Sequence, residues 1–372
     1  MVQIYEKMEK SQTLTDEKFM RRCIQLAACG RNLSRPNPMV GCVIVAGGRI
    51  LGEGYHVRCG EGHAEVNAFA SVSADDEKLL PEATLYVSLE PCSHHGKTPP
   101  CSDLIVRKGV RRVVVGCIDP FAEVQGRGVK RLRDAGIEVV VGVLEEECRH
   151  LNRRFFTFHE KNRPYIILKW AQTADGYLDD CGKPLAISTP FTKMLVHKLR
   201  AEEDAIVVGR VTWEREHPQL NVREWAGKNP VRFVIRGTGK PLPPPSPKGE
   251  GAMMEAENEC RTIEELFERC REQQLQSLIV EGGRKTLQSF LDKNLWDEIR
   301  VEKALNSQLS TLNSQPSTPS PKIPETATVF RREQFDGNTI VCYNVFSASS
   351  ETCLMSNPVG ATNGITSCSV RP

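Results

Sequence analysis

The sequence predicts an α/β protein of two domains. Three observations predict it. Short apolar strands alternate with helical stretches from Asp16 to Cys148, a second alternation starts at Tyr165 beyond a basic, aromatic connector at Asn152–Arg163, and 372 residues are enough for two cores.

In the first half, Phe19, Cys23, Leu26 and Ala27 fall near one face of a helix over Asp16–Cys29. Arg31–Pro38 is a Pro/Asn/Ser loop. Val40–Ala46 is a short apolar strand, and Gly47-Gly48 turns the chain into a second strand at Ile50–Tyr55. Ala64–Val72 reads as a helix, Thr84–Leu89 as a strand ending at Pro91-Cys92, and Ser102–Lys108 as a helix begun by Cys101. Arg112–Cys117 and Ile137–Val143 read as strands flanking a helix around Gly128–Ala135. In the second half, strands are expected at Tyr165–Trp170, Ala205–Gly209, Val231–Ile235, Ser277–Glu281 and Thr339–Phe346, with helices at Phe191–Ala201 and Lys285–Leu291. Two insertions interrupt this pattern. Residues of about 237–254 are rich in Pro, Gly and Lys, and 306–324 in Ser, Thr, Gln and Pro. Neither composition buries enough apolar surface to offset its ordering entropy, so both are expected to be mobile, and the tail 347–372 disordered.

The balance of 49 basic against 47 acidic residues, a net charge of +2, argues against a dedicated nucleic-acid binder. It leaves room for small anionic substrates, which need only a few local cations. Met1 to Asp16 has no apolar core and no run of 18 apolar residues exists, so neither a signal peptide nor a membrane span is expected. The 14 Cys then read as thiols of a reducing cytoplasm, with Cys42 and Cys117 as small buried hydrophobes.

His63-Ala64-Glu65, followed by Cys92 and Cys101, does not fit that bland role. One imidazole and two thiolates can hold a tetrahedral Zn²⁺ with one position left for water, and Glu65 can carry that water's proton to a departing amine. This is the set of groups that zinc deaminases of nucleobase-like amines use. Helix starts favour thiolates, which suits Cys101. Eight residues separate the two Cys, where the short signature has two. His94 and His95 lie in that insertion as alternative ligands, with Cys101 preferred. Gly126-Arg127-Gly128, after Asp119-Pro120, reads equally as a helix start facing an anion or as a capped turn. In the second half, Ile279-Val280-Glu281-Gly282-Gly283 leads from a strand into a helix, a junction that suits a dinucleotide phosphate without the fingerprint of a standard dinucleotide fold.

The stretch Pro91-Cys92-Ser93-His94-His95-Gly96-Lys97-Thr98-Pro99-Pro100-Cys101, with Asn37-Pro38-Met39-Val40-Gly41 and Gly54-Tyr55-His56, resembles the bifunctional deaminase–reductases of riboflavin biosynthesis. So do Leu168-Lys169-Trp170-Ala171, Leu199-Arg200-Ala201, Gly209-Arg210-Val211-Thr212, and His217 to Arg223. The resemblance spans roughly residues 16 to 346. It implies a cytidine-deaminase-like α/β/α sandwich over 1–150 and a dihydrofolate-reductase-like α/β domain over 151–346.

The implied reactions are zinc-hydroxide deamination of a diaminohydroxy-pyrimidinone bearing a phosphoribosylamino group, then reduction of its ribosyl to a ribityl chain by NADPH. The implied residues are these. His63, Cys92 and Cys101 bind zinc, Glu65 is catalytic, and Asn37, His56, His94 and Lys97 hold the deaminase substrate. Arg200, Leu220, Arg223 and Glu281 hold the reductase substrate, and Ala171, Ala186, Thr212, Glu216 and Gly283 line NADPH. Glu216 stands where the family often has Asp, and Pro184-Leu185-Ala186 where it often has Ser-x-Trp. The expected assembly is a homo-oligomer with no nucleic-acid or membrane partner. The alternatives are an active deaminase joined to a weak or inactive reductase, a tRNA adenosine deaminase, and a zinc-stabilised interaction module. Glu65 weighs against the last, since a structural zinc site needs no carboxylate beside it.

Overall fold

The computed structural model describes residues 2–93, 99–121, 125–180, 183–237, 258–305, 317–335 and 337–345. Two sheets carry the chain. The first is built from β1 (Gly41–Ala46), β2 (Arg49–Tyr55), β3 (Thr84–Leu89), β4 (Arg112–Cys117) and β5 (Glu138–Val141), in the order β2-β1-β3-β4-β5. β1 runs antiparallel to β2 and β3, while β3, β4 and β5 run parallel. The period-2 alternation of β1 explains the layering. Cys42 and Ile44 face the side covered by α2 (Ala64–Ala70), α3 (Cys101–Lys108) and α4 (Arg127–Asp134). Val43 and Val45 face α1 (Val2–Ala28), α5 (Glu145–Leu151) and α6 (Arg153–Lys161), among Phe19, Met20 and Phe156. The result is a three-layer sandwich. Asp16, buried on α1, accepts from Arg112 at 2.8 Å and from the Tyr86 hydroxyl at 3.0 Å, pinning the helix across two strands.

The second sheet comprises β6 (Tyr165–Gln172), β9 (Ala205–Gly209), β10 (Val231–Ile235), β11 (Glu259–Cys260), β12 (Ser277–Val280), β13 (Glu298–Ala304), β14 (Thr328–Phe335) and β15 (Asn338–Asn344). Its order is β11-β10-β9-β12-β6-β13-β15-β14, and β7 (Asp179–Asp180) and β8 (Lys183–Pro184) form a separate short ribbon. Strands β11 through β13 are parallel, and the β15–β14 hairpin adds on antiparallel. Ile166 and Leu168 point into one core with Phe267 and Phe290, while Tyr165 and Ile167 point into the other with Leu199. The helices are α7 (Pro190–Glu202), α8 (Arg210–Glu216), α9 (Ile263–Glu272) and α10 (Arg284–Asp292). Thr189 caps α7, accepting from the Thr192 amide at 3.2 Å, with Pro190 at the first helical position. Among the described residues no helix is long and apolar enough to cross a membrane.

Several sequence expectations are corrected here. The connector at 152–163 is mostly helix α6, because Phe155, Phe156 and Phe158 all find buried positions. The last strand ends at Asn344 rather than Phe346. The Ser/Thr/Pro-rich stretch is built into the fold over 317–324. Thr318 and Ser320 bond to the backbone of Leu178 and Gly176 at 2.8 Å, the Thr318 amide donates to Asp179 at 2.9 Å, and Ile323 packs on the core. Backbone pairing, rather than apolar burial, holds most of it. Residues 238–254, 306–316 and 347–372 lie outside the described residues.

Candidate active sites

His63 is the N-cap of α2, Cys101 is the first residue of α3, and Cys92 sits in the loop after β3. These elements bring His63 Nδ1 to 3.6 Å from Cys92 Sγ and 3.3 Å from Cys101 Sγ, and all three ligand atoms lie within 4.8 Å of one another. A tetrahedral Zn²⁺ sets neighbouring N and S ligands about 3.6 Å apart and paired S ligands about 3.8 Å apart, so the donor set fits the metal in type and spacing. The Cys101 thiol, its backbone amide at 3.3 Å and His63 favour the Cys92 thiolate and hold its pKa well below the usual thiol value. Glu65, in the first turn of α2, is 3% exposed, and burial pushes its carboxyl up to about 7.

His56 stands edge-on to His63, with ring centroids 5.4 Å apart, and is itself buried. The Gly62 carbonyl, 3.1 Å from His56 Nδ1, can only accept, so Nδ1 carries the proton. Nε2 then accepts from the Asn37 side-chain amide at 3.2 Å. Burial holds the ring pKa below its usual value, which keeps this neutral tautomer. His56 therefore orients Asn37, whose amide oxygen is left for a ligand. His94 and Lys97, and the alternative ligand His95, lie outside the described residues.

Glu90 is a site residue that sequence reasoning missed. Buried next to Pro91-Cys92, it accepts from the amides of Gly126 at 2.9 Å, Gly128 at 2.8 Å and Val129 at 3.1 Å, and more weakly from Asp119 at 3.3 Å. This decides the Gly126–Gly128 ambiguity. The start of α4 does face an anion, and that anion is the protein's own carboxylate. A Cβ on Gly128 would sit 1.9 Å from the Pro91 carbonyl oxygen, so only glycine lets α4 approach the ligand loop.

In the second sheet, α7 carries Arg200 to Glu281, which follows β12. Their charged groups meet at 2.7 Å, and Arg200 also donates to the Asn221 carbonyl at 3.3 Å. Burial alone would favour the neutral acid, but the cations Arg200 and Lys169 hold Glu281 below its usual pKa. Arg223 donates to Gln219 at 2.8 Å and to the Asn221 side chain. His197 Nδ1 lies 3.0 Å from the Asn221 carbonyl oxygen and 3.2 Å from the Arg223 amide, and its protonation decides which of the two it bonds. Leu220 is buried in the core beside Leu199 and holds a left-handed backbone, φ 52°, an uncommon conformation for a branched residue that turns this loop toward α7. The Gly283 amide donates to Thr212 Oγ1 at 2.9 Å, joining two of the residues expected at NADPH. A Cβ on Gly282 would sit 2.3 Å from the Gly209 amide, so this junction too requires glycine. Ala171 lies within β6 and pairs with Glu302, Ala186 lies exposed before α7, and Glu216 ends α8. Lys169 and His197 were not singled out as site residues because a lone cation in a strand and a lone His in a helix carry no spacing signal.

Comparison with known proteins matches a family to each half of the chain. Residues 13–117 match the cytidine and deoxycytidylate deaminase zinc-binding region, and residues 164–304 match the RibD C-terminal domain. The chain is 40% identical over 309 residues to the riboflavin biosynthesis protein RibD of Aquifex aeolicus, covering 77% of this chain and 86% of that protein. This chain belongs to the RibD family. The RibD of Actinobacillus pleuropneumoniae is 37% identical over 315 residues, 77% of this chain and 83% of its own. Among solved structures, a Thermotoga maritima diaminohydroxyphosphoribosylaminopyrimidine deaminase/5-amino-6-(5-phosphoribosylamino)uracil reductase superposes with a TM-score of 0.76 at 35% identity, covering 90% of this chain and 99% of that one. Acinetobacter baumannii RibD superposes with a TM-score of 0.77 at 29% identity and the same coverage. As a RibD protein, the chain is a bifunctional deaminase–reductase of riboflavin biosynthesis that uses Zn²⁺ and NADPH.

Proposed function

We propose that the chain divides near residue 151, and that its first domain deaminates the diaminohydroxy-phosphoribosylaminopyrimidine for which the Thermotoga relative is named. Its second domain then reduces the ribosyl group of the resulting uracil to ribityl. The observation that carries the first step is the buried Glu65 carboxyl two residues from His63, beside a trio of ligands with zinc spacing. His63, Cys92 and Cys101 would hold the metal, which when bound would supply Lewis acidity. Glu65 takes the reacting water's proton and delivers it to the departing amine, and its raised pKa suits a group that must hold a proton and give it up. Asn37, held by His56, fixes the pyrimidine. His94 and Lys97 bind the same substrate. In the second domain Arg200, Arg223, Leu220 and Glu281 receive the phosphorylated sugar chain. Thr212 and Gly283, with Ala171, Ala186 and Glu216, receive NADPH. These groups act by positioning and charge, since the hydride comes from the cofactor.

Glu65→Gln tests the first step. Zinc content should stay at one equivalent while ammonia release falls by about 10²–10⁴-fold; unchanged release overturns the role of Glu65. A parallel assay of NADPH oxidation on the deaminated intermediate tests the second domain, and its absence leaves a deaminase on an inactive reductase.

The protein further works in the cytoplasm as a homo-oligomer, without nucleic-acid partners. β14 supports assembly: it is a sheet edge with Val329 and Phe330 exposed, and Phe335 at its end packs with its ring tilted against exposed Phe191, centroids 5.1 Å apart. Sedimentation of wild type and Phe330→Asp tests it, and a wild-type monomer refutes it.

A further inference from the structure

Asn37 reaches the deaminase site from the loop between α1 and β1, and three contacts fasten that loop from outside the first sheet. Arg35 pairs with Asp204 at 2.7 Å and also donates to the Glu202 carbonyl at the C-terminal end of α7. There the helix dipole adds negative charge. The Gln276 side-chain amide donates to the Pro36 carbonyl at 2.7 Å. Asn152 closes the far end reciprocally. Its Oδ1 accepts from the Met39 amide and its Nδ2 donates to the Met39 carbonyl, both at 2.8 Å.

The reductase side of this clamp is itself built in. The other oxygen of Asp204 accepts from the Gln276 amide at 2.9 Å and from Ser277 Oγ at 3.2 Å, and the Asp204 amide donates to Ser277 Oγ at 2.8 Å. Asp204 is therefore fixed by the start of β12 before Arg35 reaches it. Arg35 and Asp204 side chains are only 22% and 15% exposed, so their attraction is less screened than that of a surface pair. Only one residue separates Arg35 from Asn37, and only one separates Asn37 from Met39, where Asn152 closes the clamp.

We infer that Arg35 is a positioning residue for deamination, and that the reductase domain, through Asp204 and Gln276, sets where the deaminase's Asn37 stands. The inference rests on the reading that Asn37 holds the deaminase substrate. Deaminase affinity is then a property of both domains together, although none of the reductase residues touches that substrate.

The test is deaminase kinetics on full-length, zinc-loaded Arg35→Ala, Arg35→Lys, Asp204→Asn and Asn37→Ala, with Arg31→Ala as control. Arg31 meets Glu202 only at 3.6 Å and is half exposed, so it crosses the same interface without holding the loop. Arg35→Ala and Asp204→Asn should each raise the KM for ammonia release about tenfold with kcat within twofold, as expected when a binding group is misplaced. Arg35→Lys, which keeps the charge but not the fork, should recover part of this. Arg31→Ala should keep the wild-type KM. Reduction of separately supplied deaminated intermediate should be unchanged throughout, and zinc should stay at one equivalent. A wild-type KM in Arg35→Ala and Asp204→Asn, with Asn37→Ala raised, overturns the clamp alone. A wild-type KM in Asn37→Ala overturns the reading of Asn37. Parallel loss of both activities in Arg35→Ala and Asp204→Asn makes the contact simple fold support and also overturns the inference.

Discussion

Arg200 and Glu281 meet at 2.7 Å, with the Arg200 side chain 13% and the Glu281 side chain 10% exposed, so each neutralises the other where the sugar phosphate is expected to bind. A substrate that enters there shares Arg200 rather than finding it free. Glu281→Gln keeps the shape and removes the charge. It should cut reduction of the deaminated intermediate by about 100-fold while ammonia release stays within twofold. Arg200→Ala leaves a carboxylate stranded and should also destabilise the protein by up to about 3 kcal/mol, read from its urea midpoint.

Glu90 gathers its four amides with a charge, which strengthens each bond. Glu90→Gln can satisfy them only in part, and its NH₂ must face donors. The unfolding free energy should fall by about 2–3 kcal/mol, and zinc should leave faster in a chelator chase, because the Pro91-Cys92 turn loses its anchor. Unaltered zinc release would show that the turn stands without Glu90.

Removing zinc separates the two activities. Stripping the metal with a chelator should abolish ammonia release and lower the melting temperature of the first sheet's transition, since ligand binding stabilises the folded state by mass action. NADPH oxidation on supplied intermediate should persist. Loss of both activities would place the metal's influence beyond His63, Cys92 and Cys101.

Acid should loosen the junction between the two sheets. Burial favours neutral Glu203, but the Arg154 charge and its paired hydrogen bonds prevail and hold Glu203 down at about 2. The folded pKa lies below the ordinary value of 4.5, so the unfolded chain binds the proton first. The stabilisation is complete above about pH 4.5 and is lost as pH falls toward about 2, on the order of 3 kcal/mol in all. Glu203→Gln should flatten the urea midpoint over that window. An equal slope in wild type and variant would assign the acid loss elsewhere.

The zinc trio was legible because a His and two Cys, with a Glu two residues after the His, are a chemically specific set placed where strands and helices begin and end. The residues expected at the reductase site were named only through resemblance, and the structure brings Arg200 to Glu281 and Thr212 to Gly283. Strand β13 escaped notice because two of its buried positions, Glu298 and Glu302, are acids satisfied by Arg300 and by Ser188 with Asn338. A period-2 reading of hydrophobicity cannot see them. Strand β14 escaped for the opposite reason. It lies at the sheet edge with both faces largely exposed, so it needs no apolar alternation. The clamp on Asn37 joins residues 169 and 240 positions apart, and no local pattern encodes such a pairing.

The reciprocal pair between Asn152 and Met39 bears on how the chain could be taken apart. A side-chain amide there does the work of a neighbouring strand, closing two main-chain groups that would otherwise need water. Scission after residue 151 would sever that amide from the first half and, with the second half gone, would also free the Pro36 carbonyl and Arg35. The two halves are thus not interchangeable cassettes. A stand-alone version of the first would need new residues at its cut face to replace what the other half lends it.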